Sequence, residues 1–205
     1  MKNVPDSVFD YVLATMEWKS KKNLVYLAYP VTSQKKLSKI VSRANDLFEK
    51  LESEYDALVI FRLSIVVYKD RKCGLYTLDG EELLPIMYEE ICVDDESSLA
   101  EVTGSEKAGI YSVSTRKFIV PLLNYEKAEL YDLCIIVEKA NLFGALNLEG
   151  QVIIPCEWDE IWGSSKENPN YITKKGNAFF CFDELGKRIT SDEYTSFDKA
   201  YRSLL

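Results

Sequence analysis

A short order of residues returns along this chain, and it constrains the fold more than any other feature. Lys72-Cys73-Gly74-Leu75-Tyr76 is matched by Lys107-Ala108-Gly109-Ile110-Tyr111 and again by Leu142-Phe143-Gly144-Ala145-Leu146, with 35 residues between successive glycines. A second glycine follows an acid in the first and third copies, at Asp79-Gly80 and Glu149-Gly150. An acid-glycine pair between apolar stretches signals a hairpin, because glycine takes positive φ without a Cβ clash. The second copy has Ser114-Thr115 there, so its turn must differ. A proline comes next (Pro85, Pro121, Pro155), then an aromatic (Tyr88, Tyr125, Trp158), then acids and, in the first and third copies, Ile91 or Ile161. A degraded fourth copy places Asp183, Gly186, Ser191, Tyr194 and Phe197 in the acid, glycine, proline, aromatic and apolar positions. In that copy Ala178 reads as the replaced first glycine, with an extra residue in the turn. Degraded outer copies are what a stacked array expects.

Each period predicts a three-stranded β-meander. In the third copy the strands are Ile135-Ile136-Val137, then Ala145 to Leu148 after a Lys-x-Gly corner, then Val152 to Ile154. Proline cannot donate to a ladder, so it should end the third strand or mark an edge. The aromatic after it should pack between neighbouring units. The order K-x-G-x-x-x-x-D-G-x-x-x-x-P-x-x-Y-[DE]-x-I resembles the WG-repeat (KWG-repeat) family of bacterial proteins over roughly residues 64–200. The family's tryptophan before the glycine is replaced by Cys73, Ala108 and Phe143. The resemblance implies an interaction or scaffold module and no shared catalytic residue.

The first part of the chain reads differently. Val8, Phe9, Val12, Leu13 and Met16 form a helical stripe that Asp6 could cap. Residues 23–30 read as a strand, and Leu37, Ile40, Val41, Ala44, Leu47, Phe48 and Leu51 as an amphipathic helix. The expected class is therefore α+β. A mainly helical cap over residues 1–56 precedes an antiparallel β-repeat array over residues 57–205, solenoid-like or propeller-like, whose first edge the helices cover.

Composition narrows the function. The chain has 205 residues and no histidine, which removes the commonest general base and metal ligand. The five cysteines form no CxxC pair, so neither a metal nor a cofactor is expected, and they read as reduced thiols of a cytoplasmic protein. No signal-peptide pattern opens the chain. The longest apolar run, 57–68, is broken by Arg62 and Ser64, so no membrane span is expected. The formal charge is −8; residues 1–70 carry +2 and residues 71–205 carry −10. That balance disfavours nucleic acid and suits a basic protein partner.

The acids and aromatics at corresponding repeat positions form the candidate partner surface: Glu89, Glu90, Asp94, Asp95, Glu157, Trp158, Asp159, Glu160 and Trp162. A specific version of this reading is an immunity protein that neutralises a cationic bacterial toxin. A competing reading is a glycan hydrolase with Glu157, Asp159 and Glu160 beside Trp158 and Trp162, since paired carboxylates and aromatics are what such enzymes use. Discrimination rests on whether two carboxylates face each other across a cleft with one strongly desolvated.

Overall fold

The computed structural model describes residues 57–163, 165–166, 168–190 and 193–204, the short segments 14–17 and 24–27, and Ser42. Two compact units are distinguished, residues 1–105 with 111–117 and residues 106–110 with 118–205.

The fold is mostly antiparallel β. The first sheet has the order β1 (Ala14–Glu17), β2 (Leu24–Leu27), β3 (Ala57–Ile60), β4 (Ser64–Lys69), β5 (Lys72–Thr77) and β6 (Glu82–Tyr88). The second is β10 (Lys117–Tyr125), β9 (Ala108–Ser112), β8 (Leu99–Thr103) and β7 (Glu90–Asp94). The third is β11 (Lys127–Leu130), β12 (Ile135–Lys139), β13 (Leu142–Leu146) and β14 (Val152–Trp158). The fourth is β15 (Glu160–Trp162), β16 (Tyr171–Lys175) and β17 (Ala178–Phe182), followed by the short helix α1 (Phe197–Arg202).

The expected N-terminal helices fare differently. Met16 belongs to strand β1, not to a helix, and β1 pairs antiparallel with β2. The rest of that stripe lies outside the described residues, as does the stripe from Leu37 to Leu51 except for helical Ser42. The strand expected at 23–30 is present as β2, which pairs parallel with β3. The inner edge of the first meander is thus met by a strand.

The glycine of each Lys-x-Gly stretch lies inside a strand, not at a corner. In the first sheet Cys73 pairs with Tyr88 and Leu75 with Leu84, so Gly74 alone faces Pro85, Ile86 and Met87. The third sheet repeats this, with Phe143 opposite Trp158 and Ala145 opposite Ile154 around Gly144. The bulged strand crosses so close that a Cβ on Gly74 would lie 2.8 Å from the Leu84 carbonyl oxygen. On Gly109 it would lie 2.5 Å from Val120 O, and on Gly144 2.6 Å from Ile154 O. The proline therefore does not end the strand, as expected from sequence, but sits in a bulge on an edge strand, where a missing N–H costs nothing. β6 and β14 share the same alternation of burial along their length. Two residues after each proline the bulge turns a side chain outward: Met87 is 60 % exposed and Leu123 86 %, and Glu157 holds the same position.

The hairpin turns explain the second glycine. Gly80, Gly150 and Gly186 have φ of 84°, 82° and 77°. Each donates its N–H to the residue three before it: Thr77, Asn147 and Asp183. This is the three-residue loop that closes in the left-handed region. The second copy has a longer turn in which Arg116, with φ 58°, takes that place, and its N–H reaches Ser112 O at 2.8 Å. The extra residue is why Pro121 falls one position late.

The fourth copy needs correcting. Its turn is the same as in the first and third copies, and the residue in the glycine position is Phe180, not Ala178. Bridges Phe182–Arg188 and Phe179–Tyr194 match the pairs Leu146–Val152 and Phe143–Trp158 of the copy before. A ring at 180 cannot lie under a crossing backbone, and among the described residues the third strand is reduced to those two bridges.

Within the second unit the fourth sheet has two apolar faces. Ile161, Tyr171 and Phe182 pack on Cys134, Ile136, Ala145 and Ile154 of the third sheet. Ile172, Cys181 and Phe179 lie on the other face, against Ala200 and Phe197 of α1. No helix among the described residues is long and apolar enough to cross a membrane.

Candidate functional site

Most of the candidate acids are tied into the repeat. Glu89 follows the aromatic of the first copy, and Lys72 Nζ lies 3.5 Å from its Oε1. Its backbone N–H donates to Thr103 O, which starts the pairing of β7 with β8. Asp94 accepts the N–H groups of Glu96 and Ser97 and the Ser97 hydroxyl, pinning the turn that holds Ser98 at φ 61°. Asp95 accepts the Arg62 N–H at 2.9 Å, while burial holds its carboxyl above the ordinary range. Glu90 lies on β7 across from Thr103. Beside it the Cys92 thiol is pushed up to about 11, first by burial and then by Glu101, Glu90 and Asp94.

The second unit shows what the acid after the aromatic does. Glu126 follows Tyr125, and its carboxylate accepts the Ala140 N–H at 2.9 Å and an ammonium proton from Lys107. Those bonds, the Lys107 one foremost, hold it below its ordinary range. Asp159 repeats the device in the next copy. It accepts the Gly176 N–H at 2.7 Å, with Lys175 Nζ 3.4 Å away, and is lowered chiefly by the Gly176 bond. Each carboxylate thus reaches forward and fastens the turn of the next hairpin. Glu160 pairs with Lys174 across β15 and β16. The Glu157 side chain is exposed, and its carbonyl accepts from Lys175 Nζ.

The two tryptophans part company. Trp158 turns toward the fourth sheet, its ring 5.2 Å from Phe180 and 5.4 Å from Phe182. Trp162 lies on the opposite face of that sheet, 4.8 Å from Phe197 and 6.0 Å from Phe179. Phe197 stacks in turn on Tyr201 at 6.0 Å. Trp162 is 36 % exposed and Tyr201 41 %. Trp162 and Glu160 share one face of β15, so of the nine candidates these two stand beside a surface ring cluster. Asp159 lies at the surface and is held ionised by the Gly176 N–H, which is the reverse of the acid with a raised pKa that glycoside hydrolysis needs. Among the described residues no group of three His, Cys, Asp or Glu is placed to hold a metal ion.

Sequence reasoning missed Glu126, Phe179 and Tyr201, and gave Phe197 only as the apolar position of the fourth copy. It also missed a polar residue three after each strand glycine position. Thr77, Ser112, Asn147 and Asp183 each accept a backbone N–H of their own turn through the side chain. The signal was present as a small polar residue recurring with the period.

Together these features define a protein of successive antiparallel β-meanders, in whose second unit Glu126 and Asp159 fasten the turn of the following hairpin. No protein-family model matches the chain, and no curated protein matches it. Among solved structures it is similar to Hsv2 of Kluyveromyces marxianus, at 8% identity and TM-score 0.42 over 70% of this chain and 50% of that one. It is similar also to the N-terminal domain of Nup159, at 11% identity and TM-score 0.39 over 68% of this chain and 44% of that one. A third is PorZ, a bacterial surface component of the type-IX secretion system of Porphyromonas gingivalis, at 9% identity and TM-score 0.37, over 67% of this chain and 22% of that one. The chain thus spans half or less of the length of these proteins, and a likeness at this level assigns neither family nor activity.

Proposed function

We propose that this chain is a non-enzymatic protein-binding module of WG-like repeats, and that its partner contacts the fourth sheet around Trp162 and Tyr201. The observation that carries the reading is the exposure of these two rings, Trp162 on β15 and Tyr201 on α1, beside the Phe197 ring that both contact. Half-exposed Trp and Tyr in one patch are the side chains that dominate protein interfaces, because they combine large apolar area with a polar tip. The net charge of −8 favours a basic partner through long-range attraction. The acids at 89, 94, 95 and 159 support folding in this reading, which leaves Glu157 and Glu160 as the charged rim.

Capture experiments with the immobilised chain test this. A protein retained by the wild type is expected to be lost from the Trp162→Ala/Tyr201→Ala variant and kept by Leu185→Ala, which trims an exposed apolar side chain in the Asp183–Lys187 turn. Equal retention by the double variant would remove the surface from consideration. No retention of any protein at micromolar concentration would remove the module reading. The immunity-protein version rests on the charge alone. It expects the captured protein to be a basic toxin whose activity the chain blocks.

A further inference from the structure

The face of the fourth sheet beneath α1 is the register equivalent of the face on which the third sheet receives the fourth. On the third sheet the receiving side chains are Ile136, Phe143, Ala145 and Trp158. Their counterparts one copy later, fixed by the matched bridges, are Ile172, Phe179, Cys181 and Tyr194. These four lie in the cluster under α1. The covering element is also matched in sequence. Phe197 stands where Ile91, Ala128 and Ile161 are the second residues of β7, β11 and β15, the strands that open each following sheet. In the fourth copy Ser196 replaces the strand residue before it, caps a helix by accepting the Lys199 N–H, and the chain coils instead of pairing. The fastening acid is missing too, since Thr195 follows Tyr194 where Glu89, Glu126 and Asp159 follow their aromatics.

We propose that α1 is a cover over a sheet-docking face, and that its release lets a second copy of the chain dock there. The occupant follows from the fold: this face, one copy earlier, already holds a β-sheet of this same chain. A helix of six residues has little stability of its own, so it stays only by its contacts. These are Phe197 against Trp162 at 4.8 Å and Phe179 at 6.4 Å, Leu204 on the same cluster, Ala200 fully buried on the sheet, and Cys181 Sγ 3.6 Å from Ala200 O and 3.7 Å from Ser203 Oγ. This inference concerns the same face as the partner surface proposed above, since Tyr201 belongs to α1, but it rests on the register match and not on any partner.

The test places Ala200→Asp in the full chain, in a Cys92→Ser/Cys156→Ser background that leaves only the buried cysteines Cys73, Cys134 and Cys181. Cys181 labelling by a maleimide reports release of the helix, and light scattering reports mass. Release is expected to open Cys181 to the reagent and to double the mass at micromolar concentration, with the far-ultraviolet β signal kept. Adding Phe179→Lys, which puts charge on the uncovered face, is expected to restore the wild-type mass. The proposal is overturned if Cys181 opens and the mass does not change, or if Phe179→Lys leaves the association intact. It is overturned equally if Cys181 stays protected in Ala200→Asp and in Phe197→Asp/Ala200→Asp, since α1 is then no releasable cover.

Discussion

At the scale of single residues, the glycines inside the strands matter for the space they leave. A methyl group on Gly144 would meet Ile154 O at 2.6 Å and the Cys156 amide nitrogen at 2.8 Å, both of them backbone atoms that cannot rotate away. Gly144→Ala is expected to destabilise the chain by about 1–3 kcal/mol, the usual cost of overpacking, read as a lower urea midpoint. The opposite sign is expected at Thr173. It is fully buried, its hydroxyl has no hydrogen-bond partner, and Val67 and Val137 hold the same register position in the first and third sheets. Thr173→Val keeps the shape and removes a desolvated hydroxyl, so the midpoint should rise by the equivalent of about 1 kcal/mol. A fall on Thr173→Val would show that the hydroxyl is satisfied. The spacing of these glycines was legible in the sequence, but their role was not. One strand read alone shows a glycine and, later, a proline. Only the partner strand shows that the two lie face to face at a bulge.

Secondary-structure elements tell the same story one level up. The acid at Glu126 was legible as charge, and its task was not, because the N–H it binds belongs to a hairpin whose turn has no glycine signal at Ala140-Asn141, with φ of 53° and 62°. The fastening predicts a pH dependence. Glu126 and Asp159 are both held below their ordinary values of 4.5 and 3.8, so each binds a proton more readily unfolded than folded. Their contribution is complete at neutral pH and is lost as the pH falls through those values and below. Glu126→Gln should therefore lower the urea midpoint at pH 7 and flatten its decline between pH 5 and 3. An unchanged slope would show that the carboxylate is not a fastening. At the N-terminal end the element type itself was misread. Met16 completes a helical stripe on paper, yet it lies in a four-residue strand paired with β2, and so short an apolar run satisfies both periods. The fourth copy slipped by two positions for a different reason. Phe180 had replaced the glycine that anchored the alignment, and the true register shows only in the bridges.

For the whole molecule, charge is the property that the sequence states most directly. With 33 acids against 25 bases and a pI near 4.8, the chain loses its net repulsion near that pH. Solubility should pass through a minimum near pH 5, and salt should weaken capture of a basic partner at pH 7. Salt-independent capture would point to the aromatic patch alone. Turbidity across pH and retention across ionic strength measure the two.

The short strands β7, β11 and β15 have one more consequence. Each is written at the end of one sequence copy and folded at the start of the following sheet, so the genetic period and the folded unit are half a step out of phase. The arrangement works as a lap joint. Excising one complete sequence period would leave a strand from an earlier copy in register to begin the sheet after the gap, and excising one complete sheet would leave every other sheet with its own strands. Gain or loss of one whole period therefore keeps the pattern wherever the cut falls, and a chain built this way can change length without redesigning a seam.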